Sequence, residues 1–313
     1  MVLKSKDGIS PLSFCAPGFN IINIFRLVKN VYFCLTHGKI ILRKISQRKE
    51  REGSGPLCMK IVFHESFLET YTGDPAASPG RLDHALALVR EVFPLVEPQP
   101  CTEEDVLLVH SHYHLESVRR DESVFPMALL AAGAAIKASE LAWSGEAAFA
   151  LCRPPGHHAS PDSCWGFCYF NNVAIAVQKM LRQGKVENAL IIDFDLHYGD
   201  GTANTFAGNP AVVYRHVTGR DSASFVNDLE TFLDGVRKAD LLTVSAGFDR
   251  HVKDWGGLLS TKDYGSMGEI LAKFARERCQ GRLFAALEGG YNAFSLGESL
   301  AAFCEGIAGQ LGK

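Results

Sequence analysis

A single doubly wound parallel sheet of the α/β class, with helices on both faces, is the fold that this 313-residue sequence predicts, and three observations predict it. Short, continuously apolar runs recur along the chain, which suits strands buried on both faces. Stretches with apolar residues at helical spacing separate these runs, and alternation of strand and helix builds parallel crossovers. Each apolar run ends in a polar or glycine-rich turn, where a parallel sheet gathers its ligand-binding loops.

Taken in order, the first expected strand is KIVFH (60–64), which opens directly after Met59. A helix over 126–143 precedes the strand AAFALCR (147–153), and a second over 172–183 precedes ALIIDFD (189–195). AVVY (211–214) and a helix over 225–236 lead to LLTVSAG (241–247). A helix over 261–278, the strand LFAALEGG (283–290) and a last helix over 293–311 complete the pattern.

Composition narrows the function classes. With 47% hydrophobic and 21% charged residues and a net charge of -3, the chain can bury a sizeable core. That excludes collagen-like, disordered and disulfide-stapled proteins. The near-neutral balance leaves no electrostatic footprint for nucleic acid. No uncharged apolar run reaches the roughly 18 residues of a membrane span, so no stable membrane insertion is expected. Nine cysteines without a C-x-x-C pair point to a reduced, cytoplasmic protein. Charge is unevenly shared: residues 1–58 carry a net +7, which leaves -10 on the remaining 255. The expectation is a basic N-terminal extension (1–58), poorly structured or upstream of a true start at Met59, and a catalytic domain over 59–313. The apolar stretch 19–42 within the extension is broken by Arg26, Lys29, His37 and Lys39.

The turns that leave four of the strands hold most of the reactive chemistry: RPPGHH, DFDLHYGD, GFDRH and EGGYN. Asp195 and His197 alternate along extended backbone and can converge on one point, offering oxygen and nitrogen to zinc or another first-row divalent metal. A solvated acidic turn is the alternative. Asp193 and Asp200 could orient histidines beside them. Asp249 could add a third ligand, leaving an open position, or could cap a helix. His157 and His158, at a Pro/Gly turn, can supply a base and an electrostatic partner. Tyr291 follows two glycines and could donate to an oxyanion. His110, His112 and His114 fit a surface loop or helix start better than a second metal site. The G-x-S-x-G, H-E-x-x-H, P-loop and G-x-G-x-x-G motifs are all missing, so the hydrolase, protease, NTPase and dehydrogenase classes they mark lack a carrier.

The segments RPPGHHASPDSCWGFCYFNN, IIDFDLHYGDGT, SAGFD and LEGGYN, in that order, resemble the zinc-dependent histone deacetylase and acetylpolyamine amidohydrolase family, of arginase-deacetylase fold. LEGGYN and GFCYFNN are closer to its class II and prokaryotic branch. The resemblance covers residues 59–312. It implies Asp195, His197 and Asp249 as ligands of zinc (Zn2+), with iron (Fe2+) as the other metal. It implies His157 and His158 as tandem catalytic histidines, partnered by Asp193 and Asp200, and Tyr291 as oxyanion donor. Gly166 and Phe167, with Gly289 and Gly290, resemble the wall that grips an acetyl-lysine chain, and Arg81 a family arginine near an inner product channel. Three departures stand out. His216 takes the place of a serine that helps family members hold potassium (K+). Gly256 stands where some relatives carry a polyamine-selecting acid. The loop between His114 and Pro126 is short, which implies an open rim with Asp121 or Glu122 as a candidate substrate clamp. The implied activity is removal of acetyl groups from acetyl-lysine proteins, or from acetylpolyamines and other small acylated amines. A non-catalytic acyl-lysine-binding module is the remaining alternative, against which the retained Tyr291 and paired histidines argue.

Overall fold

Seven short parallel strands, largely buried except at the two edges of the sheet, form the frame on which the site is built. The computed structural model describes residues 31–36, 39–44 and 59–312. Strands β1 (Val31–Thr36) and β2 (Lys39–Lys44) pair antiparallel as a two-stranded unit of their own. The rest of the expected extension over 1–58 lies outside the described residues.

The larger unit runs β3 (Met59–Val62), α1 (Asp83–Val89), β4 (Leu95–Val96), α2 (Glu103–Val106), α3 (His112–Arg119), α4 (Val124–Trp143), β5 (Ala147–Ala150) and α5 (Asn172–Arg182). It continues through β6 (Ala189–Asp193), α6 (Asp200–Thr205), β7 (Val212–His216), α7 (Ser222–Gly235), β8 (Leu241–Ala246), α8 (Thr261–Arg278), β9 (Leu283–Leu287) and α9 (Ala293–Leu311). The strand order is β4-β3-β5-β9-β8-β6-β7, with every pair parallel. Strands β5, β6, β8 and β9 are buried at every position. Both faces are therefore covered, which is why these strands read as unbroken apolar runs rather than alternating ones. Helix α4 is long and apolar enough to cross a membrane, but 72% of its most apolar window is buried inside this fold. It is a core helix.

Local chemistry sets the element ends. Helix α7 begins at Ser222, three residues before the apolar periodicity, because Asp221 and Ser224 form a reciprocal cap. Helix α4 starts at Val124 and carries Pro126 in its first turn, where no backbone donor is lost. Strand β7 extends to His216, since His216 pairs in register with Asp193 of β6.

Candidate active site

The chain leaves β6 toward β7 on one side, and leaves β8 toward β9 on the other. The crevice between β6 and β8 is thus a topological switch point, where open parallel sheets bind ligands. Asp195 and His197 follow β6, and Asp249 follows β8. They meet there: one ligand atom from each of Asp195, His197 and Asp249 lies within 4.8 Å of the others. The convergence does not come from strand alternation, as the sequence suggested. Strand β6 stops at Asp193, and residues 195–197 form a bend in which Asp195 Oδ1 accepts the His197 N–H at 2.9 Å.

This trio fits a divalent metal. Asp195 and Asp249 are at most 1% exposed. Asp249 Oδ2 accepts no hydrogen bond and lies 3.4 Å from His197 Nδ1, an uncompensated buried oxygen of the kind a cation satisfies. Gly289 donates to Asp195 Oδ2 at 2.8 Å, and a Cβ there would lie 2.5 Å from that oxygen and 2.6 Å from Asp249 Oδ2. Only glycine lets the backbone come so close. Burial and the neighbouring Asp195 push the Asp249 carboxyl up to about 6. Burial also opposes ionisation of Asp195, but His157 and the N–H groups of His197 and Gly289 outweigh it and hold that carboxyl low. The adjacent carboxylates of Asp195 and Asp249 raise His197 to about 9.

The two adjacent histidines sit in opposed environments. His157 Nδ1 is 3.0 Å from Asp193 Oδ2, and its Nε2 is 3.7 Å from Asp195 Oδ1. Burial disfavours its charged form, yet Asp195, Asp193 and Glu288 override this and raise it well above the usual histidine value. His158 Nδ1 is 2.6 Å from Asp200 Oδ1, which leaves Nε2 unengaged. Burial and the adjacent His157 lower His158. One imidazole is kept charged and its neighbour neutral, the division of labour that assigns electrostatic partner and base.

A cavity of about 260 Å³ opens onto these groups, lined by Pro155, His157, His158, Trp165, Gly166, Phe167, His197, Trp255, Gly289 and Tyr291. Phe167 adopts a left-handed φ of 65°, a conformation bulky side chains hold only when their surroundings compel it. Tyr291 stacks on Trp255 with ring centres 3.9 Å apart, and burial raises its phenol so that the O–H is kept. Gly290 and Arg81 do not line the cavity. Arg81 is 2% exposed and donates to the carbonyls of Gly290, Ala76 and Glu288, bracing the Tyr291 turn from behind. Asp121 accepts from Ser123 and Val124 at the start of α4, and neither Asp121 nor Glu122 lines the cavity. In the turn after Asp249, Trp255 rather than Gly256 faces the cavity.

His110 and His114 are not surface residues. Both are 3% exposed, with His110 between the Ser160 carbonyl and the Asn171 N–H and His114 against the Tyr169 carbonyl, so they brace the histidine loop. Four further contributors were not singled out by the sequence. Trp165 donates to Asp200 Oδ2 at 2.9 Å and stacks 3.8 Å from His158. Tyr214 donates to Asp193 Oδ2. Asp254 accepts from the N–H groups of Tyr291 and Asn292. Glu288 accepts from Gly156 and His157, and burial pushes it up to about 7. Trp165 and Glu288 did stand inside quoted motifs, but their partners lie 35 and 132 residues away.

Comparison with known proteins identifies relatives of the chain. The histone deacetylase domain matches residues 76–225 and 218–307. A probable deacetylase of Archaeoglobus fulgidus is 31% identical over 74% of this chain and 81% of that protein. Histone deacetylase 10, chloroplastic, of Oryza sativa subsp. japonica is 29% identical over 67% of this chain and 62% of its own length. The crystal structure of the HDA15 HD domain superposes with a TM-score of 0.68 at 23% identity, covering 80% of this chain and 90% of that one, which supports the shared arginase-deacetylase fold. With the motifs, the fold and the family match in agreement, the chain belongs to the histone deacetylase family.

Proposed function

We propose that this protein is a zinc-dependent amidohydrolase of the cytoplasm that removes acetyl groups from acetyl-lysine side chains of proteins or similar acylated amines. One observation carries the reading: a single cavity is lined by His197, the least buried member of the Asp195–His197–Asp249 donor set, and by His157 and His158, whose surroundings shift their protonation in opposite directions. Bound by those three side chains, zinc supplies Lewis acidity to the amide carbonyl. The chain's own residues do the rest. Trp165, Phe167 and Trp255 wall the cavity with aromatic surface, which holds an aliphatic stem and excludes bulk water. His158 takes the proton of the attacking water at Nε2 and passes it to the departing amine, so that acetate and free amine result. His157, kept protonated by its carboxylates, offsets the charge that develops on the acyl carbon's oxygens. Tyr291 donates its O–H to the same oxyanion.

The cavity lining contains no carboxylate, which favours a neutral acyl-lysine stem over a multiply charged polyamine. The six cysteines within residues 59–312 are unpaired, in keeping with a reducing compartment. The test is metal analysis of the purified protein, followed by acetate release from an acetyl-lysine peptide and from an acetylpolyamine. Zinc-dependent release, faster from the peptide, is expected. Absence of a divalent metal, or of acetate from every acylated amine, overturns the reading.

A further inference from the structure

The turn that bears two of the metal ligands has a guanidinium pressed against its back. Arg250 Nε donates to the Asp195 carbonyl at 3.0 Å, and Nη2 donates to the Leu196 carbonyl at 3.1 Å. The same Nη2 lies 3.2 Å from His216 Nε2, so that ring nitrogen accepts and His216 carries its proton on Nδ1, toward Asp193 Oδ1 at 3.8 Å. The Phe225 ring lies on another side of the guanidinium, 4.9 Å away. Arg250 is itself immobilised, because its carbonyl accepts from both Leu258 and Leu259.

Converging backbone carbonyls are what a protein offers a dehydrated monovalent cation. Here those oxygens are already bonded to a fixed positive charge. The neighbouring strand presents His216 rather than a hydroxyl, and Arg250 repels any second cation at this distance. Potassium therefore does not fit the place where the resembled family holds it, a site that the His216 departure had left open. The two carbonyls explain why a donor must stand there: the guanidinium is what ties the Asp195 and Leu196 oxygens at the back of the ligand turn.

We propose that Arg250 is a built-in cation for the metal-ligand turn, a positioning residue that replaces a monovalent ion and makes the centre independent of potassium. This rests on the metal reading of Asp195, His197 and Asp249. Arg250 touches neither substrate nor metal. It acts by fixing the carbonyls of the two consecutive peptides that run from Asp195 through Leu196 to His197, and so the aim of the two ligands.

The experiment measures zinc affinity of the full chain, by competition with a chelating dye, in KCl, NaCl and tetramethylammonium chloride of equal ionic strength, with acetate release alongside. The wild type should give the same affinity and rate in all three salts. Arg250→Ala should lose about 10- to 100-fold in zinc affinity, as removal of a group supporting metal ligands does. Potassium or guanidinium, but not tetramethylammonium, should restore it. Arg250→Lys should fall between, since an ammonium keeps the charge but cannot make the forked contact. A wild type whose zinc affinity depends on potassium overturns the inference, and this result stands even if Arg250→Ala does not fold. An Arg250→Ala protein with wild-type affinity, or one that no cation rescues, overturns it equally. A wild type that binds no zinc in any salt overturns the metal reading and this inference together, whereas salt-dependent binding overturns this inference alone.

Discussion

At Tyr291 one oxygen atom separates a wall of the cavity from a participant in the reaction. Tyr291→Phe keeps the ring between Trp255 and Arg81 and removes only the donor. Turnover should fall by at least about a hundredfold while the thermal midpoint stays put. His158→Ala should cost a similar factor through loss of proton transfer. Steady-state rates near wild type in either variant would remove that residue from its role. His110 makes a different prediction, about stability. Burial and the nearby His114 lower it to about 3, so the folded protein keeps it neutral while the unfolded chain protonates it below about 6.5. Its contribution is complete above about pH 6.5 and is lost as pH falls toward 3, by about 1.4 kcal/mol per unit. Urea unfolding near pH 7 and pH 5 should show a steeper loss in the wild type than in His110→Gln; equal slopes would refute the assignment. The proposed ligands and the tandem histidines were legible because they stand in compact motifs. Arg250, Asp254 and Trp255 were not, because what they do depends on partners 34 to 55 residues away in the chain, or on a stacked ring that local sequence does not announce.

Helices α8 and α9 show how closely two elements can be made to pack. A Cβ at Gly268 would lie 2.3 Å from the Phe303 carbonyl, whereas one at Gly309 would meet nothing within 4 Å. Gly268→Ala should destabilise by about 1–3 kcal/mol, because the clash outweighs alanine's better helix propensity. Gly309→Ala should instead stabilise by up to about 1 kcal/mol, since only the propensity and unfolded-chain terms remain. Chemical denaturation of both variants checks the opposite signs, and a loss of the same size in each would show that backbone approach is not what fixes Gly268. Six of the seven strands of the main sheet and five long helices were visible as apolar patterns. Strand β4, with two residues, and helices α1, α2, α3 and α6, with eight or fewer, carry too few apolar positions for a period to show. Helix α7 was visible but placed late, because its start is decided by a polar cap.

Across the whole molecule, sequence pattern gave the strands but not their order. Apolar runs report that a strand is buried on both faces; they do not say which neighbour it pairs with. The return of the chain through β8 and β9 into the gap between β6 and β5 had to come from the structure. That return creates the crevice between β6 and β8, and it explains why residues more than fifty positions apart, such as Leu196 and Asp249, share one hydrogen bond. The chemistry was legible before the architecture that concentrates it.

The protein has three tryptophans. Two of them, Trp165 and Trp255, flank the cavity on opposite ring stacks, while Trp143 lies elsewhere under the Arg282 guanidinium. The molecule thus carries its own optical reporter. Occupancy of the cavity should change the emission of two of its three indoles, so that a ligand too slow to turn over can still be titrated by light alone. A hydroxamate ligand should shift or quench the intrinsic fluorescence of the wild type and do so less in Trp165→Phe and Trp255→Phe. An unchanged spectrum at saturation would mean that ligands do not enter between these rings.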